Sequence, residues 1–225
     1  FAYAADRTNF VLMMTDDQRW DALSCEGNSI IKTPNMDRLG NEGVRFRNMF
    51  VTNSLCAPSR ATFLTGQYSH THGVIDNKNR KIDAKQKLLP DLLRESGYEV
   101  AFCGKSHVAG ALRDREWDYY FGYQGQGRYL TPIIAEGVDG KDVPHDGYMD
   151  DVVSTHAINY LKNRKSDKPF CLFLWFKAPH RSWVRPRRMH DLFKEIAIPK
   201  PATYDDDLKG YPGKPRAFAD ADNKI

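Results

Sequence analysis

Four short stretches of this chain carry side chains able to do chemistry. Asp16 and Asp17 are adjacent carboxylates in TDDQ, Gly104-Lys105-Ser106-His107 joins an ammonium to an imidazole, and Lys177-Ala178-Pro179-His180 brings a second imidazole, His180, after Ala-Pro. The fourth, CAPSRATFLTG, begins at Cys56 and places Pro58 and Arg60 behind it. Neighbouring carboxylates raise each other's pKa unless a cation lies between them, so the Asp pair reads either as a hard-metal site or as helix caps and solvated loop charge. Oxygen ligands alone favour calcium or magnesium over zinc. Lys105 and His107 are two apart, and an extended backbone would project both to one side, where they could neutralise an anion and move a proton. Gly104 would let the backbone leave a strand and approach a ligand closely.

Pro58 suits the first turn of a helix running through Leu64 and closed by Gly66. Cys56, just ahead of that helix, would meet unpaired N–H groups and the positive end of the dipole, which favour an anion and lower a thiol's pKa. Arg60 lies about one turn on and can reach back. On these residues alone, Cys56 reads as an activated nucleophile beside a metal and a proton carrier. The other histidines carry weaker signals. His70 and His72 are spaced as a metal pair could be, with His72 expected mainly to support the site. His145 and His190 have no evident role, and His156 reads as a structural residue on a helix. Arg181, Arg185, Arg187 and Arg188 could meet an acidic substrate or form a solvated basic loop.

Such residues need elements to bring them together. Three short, almost continuously apolar segments, 9–14 (NFVLMM), 98–103 (YEVAFC) and 169–176 (PFCLFLWF), read as strands covered on both faces, as in a parallel sheet. Helical patterns lie between them: 34–43 opens on Pro and ends in Gly, 88–96 ends before Gly97, and 150–163 spaces Val153, Ala157, Tyr160 and Leu161 along one face. The run VRFRNMF at 44–50 reads as a strand or extension. Alternating helix and strand predict an α/β fold with a mostly parallel central sheet flanked by helices. In such sheets ligands bind beyond the carboxyl ends of the strands. There the three strands run into Asp16-Asp17, Lys105-His107 and Lys177-His180. Residues 1–196 are expected to form the α/β catalytic domain, incomplete, and 197–225 a loop or unfinished element; no internal repeat is visible.

The chain has 225 residues, 41% hydrophobic and 28% charged, with a formal charge of +4, which fits a globular domain and argues against nucleic acid as the main partner. No apolar run approaches the roughly 20 residues of a membrane span. Cysteines at 25, 56, 103 and 171 form no C-x-x-C pair, so neither a zinc ribbon nor a disulfide framework is indicated. Cys103 and Cys171 sit in apolar runs and are expected as buried free thiols. The first residue is Phe, which suggests a removed leader or an internal start.

Taken together the motifs resemble those of the type I sulfatases of the alkaline phosphatase superfamily. Their signature C-x-P-S-R-x-x-x-[LM]-T-G stands here from Cys56 to Gly66, with TDDQ, GQYSHTHGV, GKSH and KAPH in order around it. The resemblance implies oxidation of Cys56 to Cα-formylglycine by a maturation enzyme. One hydroxyl of the aldehyde hydrate attacks sulfur, and the other later expels sulfate. By position it implies Asp16, Asp17 and the oxidised Cys56 as calcium ligands, with magnesium an alternative, and Arg60 as the residue that steadies the nucleophile. Lys105 and His180 would hold sulfate oxygens, His180 would protonate the leaving oxygen, and His107 would assist breakdown of the covalent sulfate. Within the family, DNKNRK, FGYQGQGRYLTP and KPFCLFLWFKAPHRSW are most similar to carbohydrate sulfatases such as the N-acetylglucosamine-6-sulfatases. A sulfated sugar substrate of the glycosaminoglycan type and a periplasmic, secreted or lysosomal location follow from that likeness.

The family's second metal pair and second active-site lysine have no clear counterpart here. Asp222-Asn223 is a weak match, so the chain is expected to be an N-terminal portion. Competing readings are a non-catalytic sulfated-glycan-binding domain, a phosphate or phosphonate ester hydrolase using the same aldehyde, and a cysteine hydrolase using the Cys56 thiolate.

Overall fold

The computed structural model describes residues 7–200 and Tyr204. Its chain order is β1 (Phe10–Met14), α1 (Pro34–Glu42), α2 (Cys56–Thr65), α3 (Ser69–His72), α4 (Leu89–Glu95), β2 (Glu99–Lys105), β3 (Tyr119–Tyr123), β4 (Ile133–Glu136), β5 (Asp142–Pro144), α5 (Met149–Asn163) and β6 (Phe170–Trp175). The contacts separate Phe1–Met189 from His190–Ile225 as two units. No described helix is long and apolar enough to cross a membrane. Residues 197–200 carry no helix or strand, and Asp222-Asn223 lies outside the described residues.

The sheet order is β1-β6-β2-β3-β4-β5. The first four strands are parallel, and β4 and β5 add on antiparallel. The expected α/β fold and its three apolar strands are therefore present, with β6 inserted between β1 and β2. Alternate residues of β2 feed two cores on opposite faces of the sheet. Val100 and Phe102 join Ala57, Ala61 and Leu64 of α2 on one face. Ala101 and Cys103 join Val153, Ala157 and Tyr160 of α5 on the other. Fully buried Phe102, Phe173 and Trp175 each contribute on the order of 2–3 kcal/mol of hydrophobic stabilisation. Cys103 and Cys171 are free and buried, and burial pushes both thiols up to about 12.

Among the described residues β1 is an outermost strand of the sheet, and its Phe10, Val11 and Met13 are 40–50% exposed. Residues 44–50 form no strand, and Phe46, Met49 and Phe50 lie exposed in coil and turn. Gly104 is required by the neighbouring strand. It faces Trp175 in the β2–β6 register at φ +117, and a Cβ there would stand 1.9 Å from the Trp175 carbonyl oxygen.

Gly104→Ala is therefore expected to cost about 3 kcal/mol or more, because both backbone conformation and strand spacing must change. Gly125→Ala, also at positive φ but with open space around the new Cβ, should cost only about 1–2 kcal/mol. Urea denaturation of the two variants checks the difference.

Candidate active site

The carboxyl ends of β1, β2 and β6 meet the N-terminus of α2. Asp16 leaves β1 with its N–H donating to the Ala178 carbonyl at 3.1 Å, which ties the exit of β1 to that of β6. Its carboxylate accepts a hydrogen bond from Lys105 Nζ and lies 3.6 Å from Arg60. Asp16, Lys105 and Arg60 are all buried, at 4%, 0% and 1% exposure. Burial pushes the Asp16 carboxyl up, but Arg60 and Lys105 outweigh it and hold it below the ordinary carboxylate range. Burial likewise lowers Lys105, against the pull of Asp16.

Arg60 is held on three sides. It donates to the Lys105 carbonyl at 2.7 Å, faces Asp16, and lies 5.1 Å over the Trp175 ring. Because α2 begins at Cys56 with Leu55 as its cap residue, no side chain of the capping residue serves its first N–H groups. Asn77 does this from a distance: its Oδ1 accepts the Ala57 N–H at 3.0 Å, and its amide stands 4.0 Å from Cys56 Sγ. Cys56 itself is half-buried. The expected lowering of its thiol is reversed: burial raises it, and Asp16 and Asp17 add to that against Lys105 and Arg60. Desolvation and two carboxylates outweigh the helix end.

His180 follows β6 and is buried. Its Nδ1 is taken by the Arg181 carbonyl, which leaves Nε2 facing Asp17 at 3.6 Å. Asp17 adopts φ +60 and His107 φ +52, two left-handed non-glycine residues at strand ends. The chain therefore turns before His107, and strand alternation does not set its direction. His107 still senses the same charges: burial first, then Lys105, Arg80 and Arg60, drive its imidazole down to about 3. It is neutral at ordinary pH, and its buried Nδ1 has no hydrogen-bond partner among the described residues.

Asp16, Cys56 and His180 each present a ligand atom within 4.8 Å of the other two. A cleft of about 320 Å³ opens beside them, lined by Asp16, Asp17, Cys56, Ser59 and Arg60. All seven sequence-derived candidates thus fall in one region. His72 is structural: its Nδ1 accepts the Val74 N–H, and its Nε2 meets Thr62 Oγ1 at 3.1 Å. Arg188 pairs with Asp151 instead.

Sequence reading gave no role to four residues that hold this region, Asn77, Gln126, Asp150 and Lys177. Gln126 accepts Lys105 Nζ on its side chain at 2.7 Å and Lys177 Nζ on its carbonyl at 2.8 Å, and Lys177 also lies 4.6 Å over the Tyr129 ring. Asp150, in the first turn of α5, accepts the N–H groups of Lys177 and Ala178 at 2.8 and 2.9 Å. Lys177 is buried beside Lys105, and burial, then that neighbouring charge, lowers its pKa. The position of Lys177 after β6 was a readable signal. Asn77, Gln126 and Asp150 offered none, since each acts across 20 residues or more.

A family model described as sulfatase matches residues 8–211. The chain is 40% identical over 220 residues to N-acetylglucosamine-6-O-sulfatase of Bacteroides thetaiotaomicron, covering 97% of this chain and 38% of that protein. It is 28% identical over 216 residues to N-acetylglucosamine-6-sulfatase of Homo sapiens, covering 86% and 38%. A solved structure, described as a complex with its substrate D-glucosamine-2-N,6-O-disulfate, matches with a TM-score of 0.82 and 41% identity over 91% of this chain and 41% of that one. The chain therefore spans about two fifths of the length of these relatives.

Asp150→Ala would strand two part-buried backbone donors and is expected to lower stability by about 2 kcal/mol. Urea denaturation reads this directly; an unchanged midpoint would mean that the loop after β6 does not depend on Asp150.

Proposed function

The chain belongs to the sulfatase family, and from that premise we propose that the protein carrying it hydrolyses a sulfate ester of a sugar, with oxidised Cys56 as nucleophile. The observation that carries this reading is the placement of Cys56 at the start of α2, beside buried Asp16, Lys105 and Arg60 and within ligand distance of His180. A 40%-identical relative named for N-acetylglucosamine-6-O-sulfate chemistry makes a 6-O-sulfated glucosamine unit of a glycosaminoglycan-type chain the substrate to test first.

The donor set suits a hard dication in kind. Asp16 and Asp17 supply carboxylate oxygens, and Cys56 as a formylglycine hydrate would add another, as calcium prefers; magnesium is the alternative. Calcium takes six to eight oxygen ligands, so these three residues would make part of its shell. The ion would polarise the sulfuryl group and favour the ionised nucleophile.

The chain's own residues divide the remaining work. Arg60, fixed by the Lys105 carbonyl and Trp175, would hold negative charge on residue 56. Lys105, with Lys177 beside it on Gln126, would balance charge on the sulfate oxygens without reorganising. His180 has its Nδ1 engaged, so Nε2, which faces Asp17 at 3.6 Å, is the atom able to carry a proton to the leaving sugar oxygen. His107 would assist breakdown of the covalent sulfate. A location that meets sulfated glycans, in the periplasm, outside the cell or in the lysosome, belongs to the same reading.

Produced together with a formylglycine-generating enzyme and supplied with calcium, the protein should release sulfate from 6-O-sulfated N-acetylglucosamine. Cys56→Ala should lower that release by at least about 1,000-fold. Binding of the sugar without release would favour a glycan-binding domain. Faster turnover of a matched phosphate ester would favour phosphoester hydrolysis.

A further inference from the structure

A second cluster of metal-ligating side chains lies on the α5 side of the sheet. Glu136 ends β4, His145 follows β5 directly, and His156 stands in the middle of α5. Each presents a ligand atom within 4.8 Å of the other two. The scaffold around them is well fixed. Phe121 of β3 is the register partner of Glu136; its ring stacks on His156 with centroids 3.6 Å apart and meets His145 edge-on at 5.1 Å. Tyr119 Oη lies 2.9 Å from His156 Nδ1 and sets the plane of that imidazole. The His145 N–H donates to the Pro132 carbonyl at 2.8 Å, holding its backbone against the β4–β5 hairpin.

A plain Glu–His ion pair does not account for this arrangement. His145 Nε2 stands 3.9 Å from Glu136 Oε1, beyond hydrogen-bond length, and among the described residues it is buried without a partner. Nor does that pair explain why a second imidazole, oriented by a tyrosine, comes to the same point. Two imidazoles and one carboxylate are a donor set found at zinc centres with an open fourth position, and calcium, which prefers oxygen, would gain little from it. Glu136 is largely exposed, with 59% of its side chain open, so an ion can enter from solvent. Phe121 closes the opposite side, and the Tyr119 hydroxyl supplies the outer contact that orients a ligating histidine.

We propose that Glu136, His145 and His156 form a binding site for a zinc-class divalent ion, separate from the cleft beside Cys56. The site joins the β4–β5 hairpin to α5, which it otherwise meets through the apolar cluster of Ile134 with Val153 and Ala157.

Zinc titration of the chelator-stripped chain against a chromophoric zinc indicator, with cobalt absorption reporting coordination geometry, tests this. The chain should bind zinc with the visible cobalt spectrum of a four-coordinate nitrogen–oxygen site, and excess calcium should not displace it. Tyr119→Phe should weaken zinc binding by about tenfold, and Glu136→Gln and His156→Ala should weaken it further. Asp17→Asn combined with Cys56→Ala should leave it unchanged, which locates the ion. Should a histidine variant fold poorly, Glu136→Gln carries the test, because Glu136 is exposed and its circular dichroism without metal should match that of the parent. Absence of zinc binding, binding kept by Glu136→Gln, or binding lost with Asp17→Asn and Cys56→Ala would overturn the proposal.

Discussion

A carboxylate buried between two cations, Asp16 with Lys105 and Arg60, is the constraint on which the rest of this structure depends. None of the three could be buried alone: removing one partner of such a group leaves an uncompensated charge, at a cost of about 3–5 kcal/mol. They come from three elements, the exit of β1, the end of β2 and the first turns of α2. Trp175 of β6 lies beneath Arg60 and adds a fourth. The parallel order β1-β6-β2 is what brings these ends to one rim. Building the sheet and building the site are therefore one event, and Cys56 rides on α2 into the result.

That coupling explains what could be read from the sequence. The three parallel strands announce themselves as short apolar runs, and each chemical motif follows a strand or opens a helix, so Asp16, Lys105, His180 and Cys56 were legible along with the fold. The strands β3, β4 and β5 were not. YYFGY, IIAE and DVP are short and lack clean alternation, and their pairing depends on partners distant in sequence.

Within the site, local rules worked until long-range contacts opposed them. A helix start should lower a thiol's pKa, yet burial and the carboxylates of Asp16 and Asp17 raise that of Cys56. Strand alternation should aim Lys105 and His107 alike, yet the left-handed turn at His107 ends the strand. Asn77, Gln126 and Asp150 hold the site by reaching across the fold, so no spacing could have marked them. Asp17 and His107 adopt left-handed conformations that side chains resist, and no local pattern in the sequence marks them.

The central claim is that Cys56 is the precursor of the nucleophile which this buried charge cluster positions. Mass spectrometry of the peptide containing residue 56, from protein isolated in its native source and treated with an aldehyde-reactive hydrazide, tests it most directly. The account predicts an aldehyde in place of the thiol and a hydrazone adduct at residue 56. An unmodified cysteine throughout, in protein that nonetheless releases sulfate, would contradict it.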